Sequence, residues 1–300
     1  MASKLYRALH EPFYIPWCLW HKISPIIKDD EFYLKVDYFL SLGKRLNLKN
    51  PTTFNEKLQW LKLHDKRNEY TQMVDKYAVK QYVKASIGEE YVIPTLKVWE
   101  NPDDIDITQL PNQFVLKCTH DSGCVIFCRD KSSFDLEKAK KRLAKQLKKE
   151  FYLEHREYPY KNVKPRIIAE ELLVDESGIE LKDYKFFCFN GKCRMLFVIS
   201  GRPDHTRLDF LDTDFNLLPF ERGYPQSGKI PHKPRSFAKM IELSEKLSRD
   251  IPFVRVDFYE VNNSPLFGEL TFFPGSGCEP FKPEDWDTIV GEWLVLPNEK

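Results

Sequence analysis

The chain has 300 residues, 42% of them hydrophobic and 14% aromatic, with 46 Lys and Arg against 45 Asp and Glu for a net charge of +1. That length and apolar content fit one large multi-lobed unit or two domains, and exclude a disordered chain. The balanced charge gives no global field for nucleic acid or an acidic surface, so an anionic ligand has to be held by local geometry. The seven cysteines, Cys18, Cys118, Cys124, Cys128, Cys188, Cys193 and Cys278, are odd in number, lie mostly in apolar runs and follow no secretory leader. They read as reduced thiols of a cytoplasmic protein. No apolar run approaches the ~20 residues of a membrane span. The aromatic run from Phe13 to Trp20 reads as a segment packed on the body or as a peripheral membrane contact.

Residues 30–42 carry apolar positions at Phe32, Leu34, Val36, Phe39 and Leu40 and stop at Gly43, which predicts a helix. Thr53 with Glu56 three residues on is a capping-box signature, and Leu58, Trp60, Leu61 and Leu63 give the next helix its apolar face. A third helix is predicted over residues 71–87, with Met73, Tyr77, Val83 and Ile87 inward and Asp75, Lys76 and Lys80 as charged positions. From Tyr91 the pattern shifts to short strands over residues 91–94, 96–99 and 114–118. Thr119-His120-Asp121-Ser122-Gly123 then forms a polar turn before the apolar run Val125 to Cys128. A strand ending in Lys117, a loop with a glycine and a return strand make either an ordinary hairpin or a flap whose backbone N–H groups cover a polyphosphate.

Cys118, Cys124 and Cys128 lack the paired spacing of a zinc site. Residues 134–151 predict a basic amphipathic helix whose lysines form a solvated face. A strand over residues 166–173 runs into Glu170 and Glu171, and the strand from Asp183 to Phe189 turns at Asn190-Gly191 into residues 194–199. His205 and Arg207 precede a strand at residues 208–211, and a helix over 236–247 leads to the most chemically dense stretch.

That stretch is FVRVDFYEVNNSPLFGELTFFPGSG, residues 253–277. Val254, Val256 and Phe258 alternate with Arg255, Asp257 and Tyr259, so one face is apolar and the other charged. An Asn262-Asn263-Ser264-Pro265 turn allows residues 266–272 to return and bring Glu269 beside Asp257. Two carboxylates and the Thr271 hydroxyl are hard oxygen donors of the kind Mg²⁺ takes, often together with substrate phosphates. A solvated hairpin with scattered charges is the plainer reading of the same residues.

Taken in order, NPTTFNEKLQWLKL, DKYAVKQYV, FVLKCTHDSG, PRIIAEELL, DYKFFCFNGK and VRVDFYE with FGELTFFPGSG resemble the ATP-grasp ligases over roughly residues 30–297. Within them the chain is similar to the TupA-like proteins of teichuronopeptide and polysaccharide biosynthesis. The resemblance implies an α+β ATP-grasp fold of two lobes with antiparallel sheets. It divides the chain into an N-terminal helical segment over 1–75, a small lobe with a phosphate-covering loop over 76–172, and a large lobe with a metal hairpin over 173–300. ATP and Mg²⁺ are the implied cofactors.

By the same resemblance Lys76 and Lys117 are the nucleotide-binding lysines, and Thr119, His120, Asp121, Ser122 and Gly123 the phosphate-covering loop. Glu170, Glu171, Leu172 and Leu173 match the hinge that holds adenine, Asp183 a ribose contact and Lys185 a further phosphate contact. Asp257, Glu269 and Thr271 match the metal ligands, Arg255 the arginine that stabilises charge on the acyl phosphate, and Lys117, which approaches the phosphates, counts with Arg255 as catalytic. Two positions depart from the pattern: Thr271 stands where many ATP-grasp enzymes have asparagine, and Cys124 where related sequences have a second glycine.

The implied activity is an ATP-dependent carboxylate–amine ligase of surface-polysaccharide assembly, joining an amino acid or similar amine to a uronic-acid-type carboxylate. A glycosyltransferase is the first alternative, with Asp103, Asp104 and Asp106 or Asp212 and Asp214 as the nearest acid motifs, and an ATP-grasp kinase or a non-catalytic binding module are the others. The expected partner is a small-molecule or saccharide acceptor rather than nucleic acid. His205, Arg207, Arg202 and Arg222 are candidates to line its site or simply a solvated loop. The expected place is the cytoplasm, at the inner face of the membrane if the aromatic segment touches it.

Overall fold

Two antiparallel sheets follow from the period-two runs read above. A computed structural model describes residues 12–174, 181–201 and 205–297. The larger sheet has five strands in the order β10-β9-β5-β6-β7, where β5 is Asp183–Phe189, β6 Lys192–Ser200, β7 Arg207–Asp212, β9 Phe253–Val261 and β10 Ser264–Thr271. The smaller has four strands in the order β1-β4-β2-β3, with β1 at Thr95–Trp99, β2 at Phe114–Cys118, β3 at Val125–Cys128 and β4 at Ile167–Glu171. A two-stranded ribbon pairs β8 (Glu221–Arg222) with β11 (Phe281–Lys282).

The helices are α1 (Tyr14–Ile23), α2 (Asp30–Leu42), α3 (Phe54–His64), α4 (Glu69–Val74), α5 (Val79–Ile87), α6 (Leu136–Leu147), α7 (Phe151–His155), α8 (Phe237–Leu247) and α9 (Trp286–Glu292). α2 ends at Gly43, whose φ of 70° supplies the left-handed cap that a glycine adopts without strain. Thr53 and Glu56 close the capping box that starts α3. The larger core joins α3, α5 and α8 to the five-stranded sheet through residues such as Phe54, Val83, Phe186, Phe253 and Leu243. A separate core of Phe114, Leu116, Ile167, Ala169 and Leu143 lies between the small sheet and α6. Tyr33, Leu34 and Tyr38 of α2 make a third.

Three local expectations differ from the structure. The predicted helix over 71–87 is two helices, because Asp75 leaves the helical region and its carboxylate accepts from the N–H groups of Tyr77 (2.9 Å) and Ala78 (3.2 Å). That local turn competes successfully with the helical ladder. Residues 91–93 form the end of a 3₁₀ turn and a single bridge from Val92 to Phe267 rather than a strand. The basic helix stops at Leu147, and α7 begins after a break at residues 148–150.

Candidate nucleotide and metal cleft

The acidic hairpin forms with Asp257 directly opposite Glu269 and Arg255 opposite Thr271, so the four side chains share one face. This register depends on a bulge at Gly268, where a Cβ would come within 3.1 Å of the Tyr259 ring and 3.2 Å of the Asp257 carbonyl oxygen. The turn itself uses Asn262 and Asn263, both with positive φ, as a two-residue hairpin requires. On the other side of β9, Lys185 lies opposite Asp257.

These residues form one ion-pair network. Arg255 donates from Nε to Asp257 Oδ1 and from Nη2 to Oδ2, both at 2.7 Å, and lies 3.8 Å from Glu269. Lys185 bridges Asp257 and Asp183, the latter at 2.6 Å. Burial opposes the charge on Asp257, yet Arg255 and Lys185 outweigh it and hold its carboxyl below the ordinary range. For Asp183 burial wins, and its carboxyl is raised despite Lys185. The Tyr259 phenol is pushed well up, first by Asp183, then by burial, then by Asp257, Glu269 and Glu170, so carboxylates of both sheets act on this one hydroxyl. Asp183 Oδ1 and Thr271 Oγ1 are buried oxygens with no hydrogen-bond partner among the described residues. Unpaired buried oxygens beside two further carboxylates fit a hard cation such as Mg²⁺.

A cavity of about 450 Å³ adjoins this cluster, lined by Lys185 and Arg255 together with Arg222, Phe197, Phe210 and Tyr224. Arg222 is buried, paired with Glu279 at 2.7 Å and donating to the Pro274 carbonyl at 2.9 Å. Its floor includes the start of the PGSG turn, residues 274–277, which α3 holds in place. Gln59 donates to the carbonyls of Ser276 (2.8 Å) and Gly277 (2.9 Å), and the buried Lys62 to Ser276 at 2.9 Å. Gly277 has φ of 62°, and a Cβ there would lie 2.7 Å from Gln59 Nε2, so both space and backbone call for glycine. Of the sequence candidates for an acceptor site, Arg222 lines this cavity. His205 and Arg207 are exposed outside its lining, and Arg202 is outside the described residues.

The small sheet presents a second ion cluster, whose Glu170 is near enough to the hairpin to act on the Tyr259 phenol of β9. Glu170 is buried on β4, with Lys117 of β2 at 2.5 Å and Lys80 of α5 on its other oxygen. Burial opposes the Glu170 charge, but Lys117 and Lys80 hold its carboxyl below the usual range. Lys80 also donates to the Ile93 carbonyl (2.8 Å) and Thr95 Oγ1 (2.6 Å). The sequence reading marked Lys80 only as a charged helix position; the signal for it was its place one helical turn beyond Lys76. Lys76 itself turns to the loop, where it contacts the Asp121 carbonyl and lies 3.7 Å from the Asp121 carboxylate. Glu171 is exposed, and Leu172 and Leu173 are half-buried in an extended segment that follows β4.

The loop after Lys117 is folded inward. Thr119, His120 and Asp121 are buried, and only Ser122 and Gly123 are exposed. Cys124, at the position where a glycine was expected, packs into the small core and does not face the cleft. Cys118, Asp121 and Cys124 each offer a ligand atom within 4.8 Å of the others, a grouping the cysteine spacing did not suggest. Lys76 already supplies the counter-charge to Asp121 there. The acid motifs of the glycosyltransferase alternative cap local turns: Asp106 accepts from Thr108, and Asp212 from the N–H groups of Asp214 and Asn216.

Two antiparallel sheets, each presenting a cation-clamped carboxylate cluster, with a folded loop at the end of β2, make an ATP-grasp fold. The family described as TupA-like ATPgrasp matches residues 56–295, and the chain belongs to that family. No curated protein matches it. Among solved structures it is similar to the D-alanine–D-alanine ligase of Bacillus anthracis complexed with ATP, at 14% identity and a TM-score of 0.39 over 67% of this chain and 54% of that one. It is also similar to a RimK domain ATP-grasp protein of Sphaerobacter thermophilus, at 12% identity and a TM-score of 0.41 over 75% and 69% of the two chains. A third similar structure is the D-alanine–D-alanine ligase of Helicobacter pylori, at 15% identity and a TM-score of 0.39 over 74% and 61%. The chain thus spans 54% and 61% of the lengths of the two D-alanine–D-alanine ligases.

Proposed function

We propose that the protein is an ATP- and Mg²⁺-dependent ligase that joins an amine to a carboxylate through an acyl phosphate. The observation that supports this best is the cluster of Asp183, Asp257 and Glu269, clamped by Lys185 and Arg255, which themselves line an adjoining cavity with cationic and aromatic walls. Asp257, Glu269 and Thr271 would hold Mg²⁺, which when bound neutralises charge on the ATP phosphates. Lys117 and Lys80, released from Glu170, would bind phosphate oxygens, with the 119–123 loop closing over them. Glu170 to Leu173 would hold the adenine, and Asp183 the ribose. We take 76–172 and 173–300 as the two lobes and 1–75 as the accessory segment, with α3 and α5 packing on the core of the larger lobe.

In the reaction, the acceptor carboxylate attacks the γ-phosphoryl group and ADP departs; the amine then opens the anhydride and phosphate leaves. Arg255 is positioned to stabilise the negative charge that develops, since it lines the cavity with only 13% of its side chain exposed. Arg222 suits a second anionic group on the acceptor, and Phe197, Phe210 and Tyr224 suit the apolar face of a sugar or amino acid. We assign the substrate class as a uronic-acid-type carboxylate with an amino acid or similar amine, in surface or capsular polysaccharide assembly; this rests on the family. The exposed Ile15, Leu19 and Ile23 stripe of α1 supports a peripheral contact with the inner face of a membrane. No described helix is long and apolar enough to cross one.

The test is purified protein with ATP, Mg²⁺ and panels of carboxylates and amines. Release of ADP and phosphate only when both acceptors are present is expected. A phosphorylated product without free phosphate would make the protein a kinase, and turnover of UDP-sugars without ATP would make it a glycosyltransferase.

A further inference from the structure

Outside the cleft, His21 of α1, Asp37 of α2 and His155 at the end of α7 converge on one point. Asp37 is buried, and each of its oxygens faces an imidazole: Oδ1 lies 2.9 Å from His21 Nε2 and Oδ2 lies 3.3 Å from His155 Nδ1. The two rings meet edge-on with centroids 4.8 Å apart. One ligand atom from each residue lies within 4.8 Å of the others.

The proton inventory shows what this point needs. Tyr33 Oη donates its hydrogen to the Glu154 carbonyl at 2.7 Å and lies 3.5 Å from His21 Nδ1. With that hydrogen committed, the phenol can only accept from His21: a hydrogen on Nδ1 satisfies this contact, whereas a hydrogen on Nε2 goes to Asp37 and leaves the Nδ1 lone pair facing the phenol oxygen at 3.5 Å. In the first tautomer the Nε2 lone pair meets a carboxylate oxygen 2.9 Å away, a repulsive contact that a cation between them relieves. A second proton on His21 meets that need for one ring. His155 tips the balance, because a second imidazole turned to the same carboxylate completes a two-histidine, one-carboxylate ligand set with the Tyr33 phenol as its outer support.

We propose that His21, Asp37 and His155 bind a divalent transition-metal ion, of which Zn²⁺ best suits two nitrogens and a carboxylate. His21 and His155 keep 16% and 23% of their side chains exposed, so the ion enters from solvent and retains an open position for water. Its structural effect is to fasten both N-terminal helices to the chain that leads into the cleft. Directly after His155, Arg156 donates to the carbonyls of Ser24 and Ile27, and Glu157 accepts from Ser276 Oγ of the PGSG turn at 2.6 Å. Metal at this point is thereby tied to the turn that floors the cavity.

The test uses the full chain, stripped with a chelator and titrated with Co²⁺ and then Zn²⁺. Wild-type and Asp257→Asn proteins are each expected to bind a single Co²⁺ with the intense visible absorption of a low-coordinate site, to release it to Zn²⁺, and to melt at higher temperature when loaded. Tyr33→Phe is expected to weaken binding by about 10-fold, and His155→Gln by more. Absence of saturable uptake by the wild-type protein overturns the proposal without recourse to any variant. So does unchanged affinity in a folded His155→Gln protein, or a sulfur-to-cobalt charge-transfer band, which would place the ion at Cys118 and Cys124.

Discussion

The two ion clusters of the cleft are built alike and charged oppositely. In the small sheet, one carboxylate, Glu170, is held by two lysines, Lys80 and Lys117. In the large sheet, three carboxylates, Asp183, Asp257 and Glu269, share Lys185 and Arg255. One cluster has a cation to spare and suits phosphate; the other has a carboxylate to spare and suits a metal ion. They differ also in construction. In the large sheet Asp257 sits opposite Glu269 on one side and Lys185 on the other, with Asp183 two residues before Lys185 on the same strand, whereas Lys80 reaches Glu170 from a helix whose Val79 and Val83 belong to the larger core. The proposed metal end is therefore fixed by strand register, while the proposed phosphate end joins two separately packed bodies.

The largest effect is expected at the metal end. Asp257→Asn removes the charge that Arg255 and Lys185 share, and turnover with ATP should fall by at least about 10²–10³-fold, measured as ADP release, while circular dichroism stays native. Unchanged turnover would dissolve the contrast between the clusters. At the phosphate end, Lys117→Ala and Lys80→Ala should each weaken ATP binding by about 10- to 100-fold by calorimetry, the size of one charge-assisted hydrogen bond. Lys76→Ala should change ATP affinity far less and instead expose the loop at Ser122-Gly123 to limited proteolysis, because its contacts are to Asp121. The reverse ranking of Lys76 and Lys80 would restore the assignment read from sequence.

The smallest expected effect is on stability with pH. The Glu170 carboxyl is depressed in the folded state, so its contribution is present above the unfolded value of about 4.3 and is lost as pH falls through the folded value. Denaturant midpoints measured from about pH 6 down to pH 3.5 should drop more for the wild type than for Glu170→Gln.

What was legible in the sequence follows the same division. The hairpin and its shared face were readable because alternation has a period of two and places Arg255 and Asp257 without knowledge of anything distant. The Asn262-Asn263 turn fixed the pairing, though only the bulge at Gly268 brings Glu269 opposite Asp257. The break at Asp75 was hidden because apolar spacing continues across it, and with it went the separation of Lys76 from Lys80. Gln59 and Lys62 read as ordinary helix positions, since nothing local announces that a turn more than 200 residues later needs its carbonyls satisfied. The His21, Asp37 and His155 grouping is invisible for the same reason: its members lie on three elements and no spacing links them.

The central claim is that the two clusters together hold one Mg-ATP. Calorimetric titration of the wild-type protein with ATP tests it most directly, with and without Mg²⁺ and against UDP-sugars. The account predicts a single ATP site whose affinity falls when Mg²⁺ is withheld or Asp257 is changed to Asn. Binding of UDP-sugars in place of ATP, or ATP binding indifferent to both Mg²⁺ and Asp257, would contradict it.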